Sequence, residues 1–277
     1  MNINANNGIV GENACMLIPL RFGPIVCLVK REEAFVYYAT YIAGEWDFLN
    51  INKGDIVLDA GANIGDFTLK AALAVGSRGR VIAVEPAPES YAILQRNILI
   101  NGFKNIICQR KALWDQDAVL CLRESGVASR VGEGGTSPVE ATTIDSLIKE
   151  LALDHIDIVK MDIEGAEANA IKNGAFLRRV REIAVEVHGV QNRGKLIEIL
   201  RERAFSIKTF TSLDLIRNVL VNSTTHLANF LEAERKTRFI ASKSFITTFL
   251  NPESHAVPAC KMSSGLNIIY GRFEGGS

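Results

Sequence analysis

A chain of 277 residues, 48% apolar and 22% charged, is long enough for one large α/β domain with a substantial core, and its composition excludes wholesale disorder. Its 31 Lys plus Arg balance 31 Asp plus Glu, so the net charge is zero and the basic excess usual in nucleic-acid-binding proteins is absent. The five cysteines (Cys15, Cys27, Cys108, Cys121 and Cys260) are scattered, odd in number and never in C-x-x-C spacing, which excludes a disulfide framework or zinc site as the natural reading and favours a reducing cytoplasm.

MNINANNGIV lacks a basic region followed by an apolar run, so no signal peptide is expected, and no apolar stretch reaches the roughly 18–20 residues of a membrane span. Residues 1–50 read as an N-terminal extension packing on the core. In it, CMLIPLRFGPIVCLVKR predicts two short strands broken at Gly23–Pro24, and EEAFVYYATYIAGEWDFLNI predicts an amphipathic helix. Residues 51–277 read as one domain with a variable insertion at 211–265. Strands are predicted at 56–59, 80–85, 105–109, 157–162, 182–187 and 205–210, with helices at 66–75, 87–101, 142–153, 165–173 and 191–203. This alternation predicts an α/β fold with a doubly wound, mostly parallel sheet. Residues 112–124 are read as a hairpin, 125–140 as a flexible Gly/Ser-rich loop, and LNIIYGRF (266–273) as a closing strand.

The stretch IVLDAGANIGDFTLKAALA, starting at Ile56, runs a buried strand into Asp59, Gly61, Asn63 and Gly65 and then directly into a helix. In a doubly wound sheet, ligands bind beyond the carboxyl ends of the strands, and glycines there allow a tight turn and a close approach to the main chain. Asp59 is placed to hold a cationic or hydroxyl group. Glu85, at the end of the next strand and followed by Pro86, is the acid expected to accept two hydrogen bonds from a ribose diol. A dinucleotide site would carry G-x-G-x-x-G and an uncharged helix start. Here Asp59 and Asp66 flank the loop, and two carboxylates repel a pyrophosphate but suit a sulfonium. The sign of the charge favours S-adenosylmethionine over NAD.

Asp162 and Glu164 stand two apart where the fourth strand ends. The pair is suited to the amino-acid end of the cofactor, to an acceptor hydroxyl or to a metal ion, with helix capping as the structural alternative. No resident metal is assigned. Glu167 reads as first-turn charge and Lys160 as a structural or solvated residue. His188, with Gly189 behind it, sits at the mouth of the fifth strand and is the candidate general base.

VLDAGANIG, VIAVEPAPESYAILQRNILING, KALWD, TTIDSL and especially VKMDIEGAE together resemble the FkbM-type S-adenosylmethionine-dependent methyltransferases, over roughly residues 50–210. The resemblance implies a Rossmann-like class I methyltransferase with a seven-stranded sheet, O-methylating a hydroxyl of a small molecule or glycan. It also implies adenine contacts at Ala112 and Leu113, where the third strand ends. Three other readings stay open: RNA methylation, disfavoured by the zero net charge; an NAD(P)-dependent oxidoreductase, disfavoured by Asp66 and the missing third glycine; and a binding module that keeps the fold without the activity. A homo-oligomer is left open, and no membrane partner is expected.

Overall fold

The computed structural model describes residues 17–123, 130–131, 135–238 and 268–274. The expectations for Cys15, Cys260, half of the loop at 125–140 and the second half of the 211–265 insertion lie outside the described residues.

Strands β1 (Leu17–Phe22) and β2 (Ile25–Lys30) form an antiparallel hairpin that turns at Gly23 with φ +54°. The expected amphipathic helix is shorter and differently built. A 3-10 turn over Arg31–Glu33 leads into α1 (Phe35–Tyr37), which widens into a π-helical turn over Tyr38–Ala43 and stops at left-handed Gly44. It has no solvent face: every residue from Val36 to Ala43 is buried.

The main domain begins with β3 (Ile56–Ala60), α2 (Asp66–Val75), β4 (Arg80–Val84), α3 (Pro88–Asn101) and β5 (Ile106–Gln109). A side sheet follows, made of β6 (Ala112–Leu113), β7 (Ala118–Arg123), β8 (Arg130–Val131) and β9 (Ser137–Thr142) in the order β6-β9-β7-β8. The expected hairpin at 112–124 is therefore not formed. β9 inserts between β6 and β7, drawn from the stretch read as a loop, because alternate residues Val139 and Ala141 bury against Leu122 and Ala87. The chain returns through α4 (Ile144–Glu150), β10 (Ile158–Met161), α5 (Glu167–Ile171), β11 (Glu182–Glu186), α6 (Val190–Glu202) and β12 (Phe205–Thr209).

The insertion contributes α7 (Ser212–Thr225) and α8 (Leu227–Thr237), two helices the sequence reading left undefined, before β13 (Ile268–Phe273) closes the sheet. The seven strands run β12-β13-β11-β10-β3-β4-β5, parallel except for β13, which pairs antiparallel with both neighbours. β3, β4 and β10 are apolar on both faces because layers cover both sides of the sheet.

The N-terminal hairpin and the π-helical turn share one core with α8, joined by Ile64, Leu69 and Ile93 from the main domain. Two asparagines one turn apart on α3 fasten this layer. Asn101 donates to the Val26 carbonyl (2.7 Å) and accepts from the Val26 N–H (2.8 Å). Fully buried Asn97 accepts from the Leu28 N–H (2.6 Å) and donates to the Leu28 carbonyl (3.1 Å) and the Ile64 carbonyl (2.8 Å). The two amides act as rungs for the edge of β2, and Asn97 reaches the glycine loop as well.

Candidate active site

Strands β4, β3, β10 and β11 are parallel neighbours, so their carboxyl ends form one edge. The chain moves outward from β3 to β4 and β5, then returns to β10 on the other side of β3. A ligand crevice opens at such a switch point. The segments after these strands, carrying Gly61–Gly65, Glu85–Pro86, Asp162–Glu164 and His188, therefore lie side by side.

The glycines of the first loop answer to the protein itself. Gly61 has φ +74°, and a Cβ there would sit 1.7 Å from the Asp162 carbonyl oxygen. At Gly65, φ +89°, a Cβ would sit 2.5 Å from a methyl of buried Leu94. The close approach expected of a ligand is made first by the end of β10 and by α3. Glu85, buried at the end of β4, accepts backbone N–H groups of Asn63 and Ala87, each at 2.8 Å, and so braces the loop from the side. Burial lifts its carboxyl to about 7, with the two N–H groups holding it down. Asn63 takes a left-handed backbone, φ 47°, and its buried Oδ1 has no hydrogen-bond partner.

Asp59 corrects the expectation of an open anionic group. It is fully buried, and its cationic and hydroxyl partners are Lys160 Nζ at 3.1 Å and Thr68 Oγ1 at 2.5 Å. Asp59 and Lys160 are register partners on adjacent strands, so two charges in otherwise apolar runs meet inside the sheet. The Lys160 ammonium also donates to the Gly61 carbonyl at 2.8 Å and lies 5.3 Å from the Trp46 ring centre. Burial alone would lower the lysine, but Asp59, Asp162 and Asp66 outweigh it and raise it.

Asp66, at the first turn of α2, is buried, accepts from the Thr40 hydroxyl and rises to about 6 through burial. Glu45 rises to about 8 through burial and the nearby Asp162 and Asp66 charges. Asp59, Asp66 and Asp162 thus share the Lys160 ammonium, while the raised Glu45 adds an acid that is largely neutral at pH 7.

At the other end of the edge, His188 Nδ1 lies 2.8 Å from Oε1 of fully buried Glu167. The same oxygen accepts from the Gly165 N–H at 2.9 Å, and the Asn192 amide donates to Glu167 Oε2. Glu167 is therefore no solvated first-turn charge; it orients the histidine. His188 Nε2 points at Asp162 Oδ1 (4.0 Å) and Glu164 Oε2 (3.5 Å). Glu164 holds φ 54°, an uncommon conformation for a non-glycine residue. Burial would lower the imidazole, but Glu167, Asp162 and Glu164 lift it to about 10. That setting favours the protonated imidazole.

Ala112 and Leu113 lie near this edge but are buried. Leu113 belongs to the main core with Leu58 and Ile82, and its main chain is laddered to β9. Pro86 is half-buried. Sequence reasoning missed Lys160 and Glu167 as site residues, and missed Thr40, Glu45 and Trp46, which the N-terminal segment brings to the crevice. The readable signal was Lys160: a charge in a buried strand requires a partner.

The sequence profile of the Methyltransferase FkbM domain matches residues 59–235, more than half of the chain. The chain is 25% identical over 218 residues to Methyltransferase sdnD of Sordaria araneosa, covering 64% of this chain and 84% of that protein. It is 25% identical over 197 residues to 31-O-demethyl-FK506 methyltransferase FkbM of Streptomyces tacrolimicus, covering 57% and 75%. It is 23% identical over 175 residues to hexuronic acid methyltransferase AglP of Haloferax volcanii, covering 60% and 71%.

Proposed function

The chain belongs to the FkbM methyltransferase family, and from that membership we propose that it transfers a methyl group from S-adenosylmethionine to a hydroxyl oxygen of a small molecule or sugar. The observation that carries the reading is the charge of the crevice. Three aspartates, Asp59, Asp66 and Asp162, surround one ammonium there, an environment that favours a ligand with a sulfonium and an ammonium and disfavours a diphosphate.

The residues present fit that ligand. Asn63 and Asp162 each hold a buried side-chain oxygen with no hydrogen-bond partner, and both flank the switch point. In this proposal Glu85 accepts the ribose hydroxyls, Gly61, Asn63 and Gly65 present the loop, and Asp162 with Asp66 meets the cationic end. Pro86 and the main chain of Ala112 and Leu113 border the adenine, and Asp59 acts through Lys160 instead of by direct contact. When bound, S-adenosylmethionine supplies an electrophilic methyl group. Asp162, Glu164 and His188 border the acceptor hydroxyl, with a carboxylate accepting its O–H hydrogen bond.

The acceptor class is supported by the relatives, two of which are named for 31-O-demethyl-FK506 and for hexuronic acid. Residues 17–50 are proposed as the part of the N-terminal extension that walls the crevice, and 211–238 as the part of the insertion completing that wall. This is supported by Asn218 and Asn222, which donate to the Gly44 and Ile42 carbonyls. A cytoplasmic setting is supported by the free thiols of Cys27, Cys108 and Cys121. Among the described residues, no helix is long and apolar enough to cross a membrane.

Isothermal titration tests the reading. S-adenosylmethionine and S-adenosylhomocysteine are expected to bind, the charged donor at least as tightly, while NADH does not. Failure of both adenosyl compounds to bind a chain shown to be folded removes the proposal, and NADH binding in their place replaces it.

A further inference from the structure

We infer that Asp162, Glu164 and His188 form a binding site for a divalent first-row metal ion, with Glu167 as the carboxylate that orients the histidine ligand. One donor atom from each of the three residues lies within 4.8 Å of the others. The spacing is informative. His188 Nε2 stands 3.5 Å from Glu164 Oε2 and 4.0 Å from Asp162 Oδ1, both longer than the roughly 2.7–2.9 Å of a charge-assisted hydrogen bond. Donors about 2.1 Å from a tetrahedral ion stand about 3.4 Å from one another, so the gap is close to the one a shared ion requires.

The Oδ1 atom of Asp162 facing this gap is buried and takes part in no hydrogen bond, as expected of an atom awaiting a cation. The imidazole is set as a metal ligand is set. Its Nδ1 is committed to Glu167, which is itself locked by the Gly165 N–H and the Asn192 amide, so Nε2 is turned to the gap. The left-handed backbone at Glu164, followed by Gly165 at φ +107°, swings the second carboxylate to the same point. All three side chains keep partial exposure, 31%, 24% and 20%, which leaves an entry path and open positions on the ion.

Two carboxylates and one imidazole, with no thiolate, suit Mn2+, Fe2+, Co2+ or Zn2+ better than a soft ion. The site stands on geometry alone. Its use rests on the methyl-transfer reading: an acceptor hydroxyl in an open position on the ion would lose its proton more readily.

The test uses the full chain, stripped with EDTA and titrated with MnCl2. One equivalent of Mn2+ is expected to leave the free-ion EPR signal, and the bound ion is expected to show nitrogen modulation from a coordinated imidazole in electron spin-echo spectra. His188→Gln should abolish the nitrogen modulation, and Glu167→Gln should weaken binding by about 10–100-fold. No stoichiometric Mn2+ uptake, uptake without nitrogen modulation, or nitrogen modulation that survives in a folded His188→Gln chain overturns the site. The unmodified chain suffices for the first two outcomes. S-adenosylhomocysteine titrated into the same stripped chain separates the two proposals: its binding without Mn2+ uptake rejects only the metal site, and Mn2+ uptake without it rejects only the cofactor reading.

Discussion

Glu85→Gln isolates one buried carboxyl. In the folded chain Glu85 receives the N–H groups of Asn63 and Ala87, yet burial still raises its carboxyl from the ordinary 4.5 to about 7. Between those two values the folded state binds more protons than the unfolded state, so this residue makes stability fall as pH rises through the window. Integrating over the two titrations, Glu85 lowers stability by about 2.5 kcal/mol between about pH 5 and about pH 8.

Glutamine does not titrate, but it offers one acceptor oxygen and must turn its amide nitrogen toward one of the two N–H groups, at a cost of about 1–3 kcal/mol at any pH. The variant should therefore be less stable than the parent near pH 5, and the difference should shrink by about 2.5 kcal/mol, or change sign, near pH 8. Urea unfolding of both chains without ligand, followed by circular dichroism, measures this. A stability difference that is the same at both pH values would show that the carboxyl titrates normally and would refute the burial argument.

Gly61→Ala combines a left-handed backbone with a Cβ 1.7 Å from a carbonyl oxygen. A loss of at least about 3 kcal/mol, or failure to fold, is expected, and a thermal melt close to the parent's would contradict it. Asn97→Ala strands the Leu28 N–H and the Leu28 and Ile64 carbonyls, and about 3 kcal/mol should be lost, with faster amide exchange along β2. Lys160→Met leaves Asp59 charged and buried, at a cost of about 3–5 kcal/mol, whereas Lys160→Met with Asp59→Asn should recover at least half of it. A double-mutant cycle showing simple additivity would mean the pair is not coupled.

The alternation of apolar runs and helical patterns was enough to place β3, β4, β5, β10, β11 and β12 within a residue or two and to foresee a doubly wound sheet, because strands covered on both faces are apolar throughout. The side sheet was not legible. β9 alternates over only six residues behind a Gly/Ser-rich stretch, and its partners are set by Leu122 and Ala87, distant in the chain. Nor were α7 and α8, which pack on the π-helical turn and on β1, both near the other end of the chain.

At the site, chain order alone brought Gly61, Gly65, Glu85, Asp162 and His188 to one edge, since parallel strands must end together. What each side chain does there was decided by its neighbours in space. Strand register paired Asp59 with Lys160 and withdrew it from the crevice. The packing of α5 against α6 turned Glu167 from a helix-end charge into the group that aims His188. The N-terminal segment supplied Thr40, Glu45 and Trp46 to a crevice whose motifs begin later in the chain. Local sequence specifies which charges exist and which strand ends carry them. Only burial and contact between remote segments decide which are neutralised and which are left to act on a ligand.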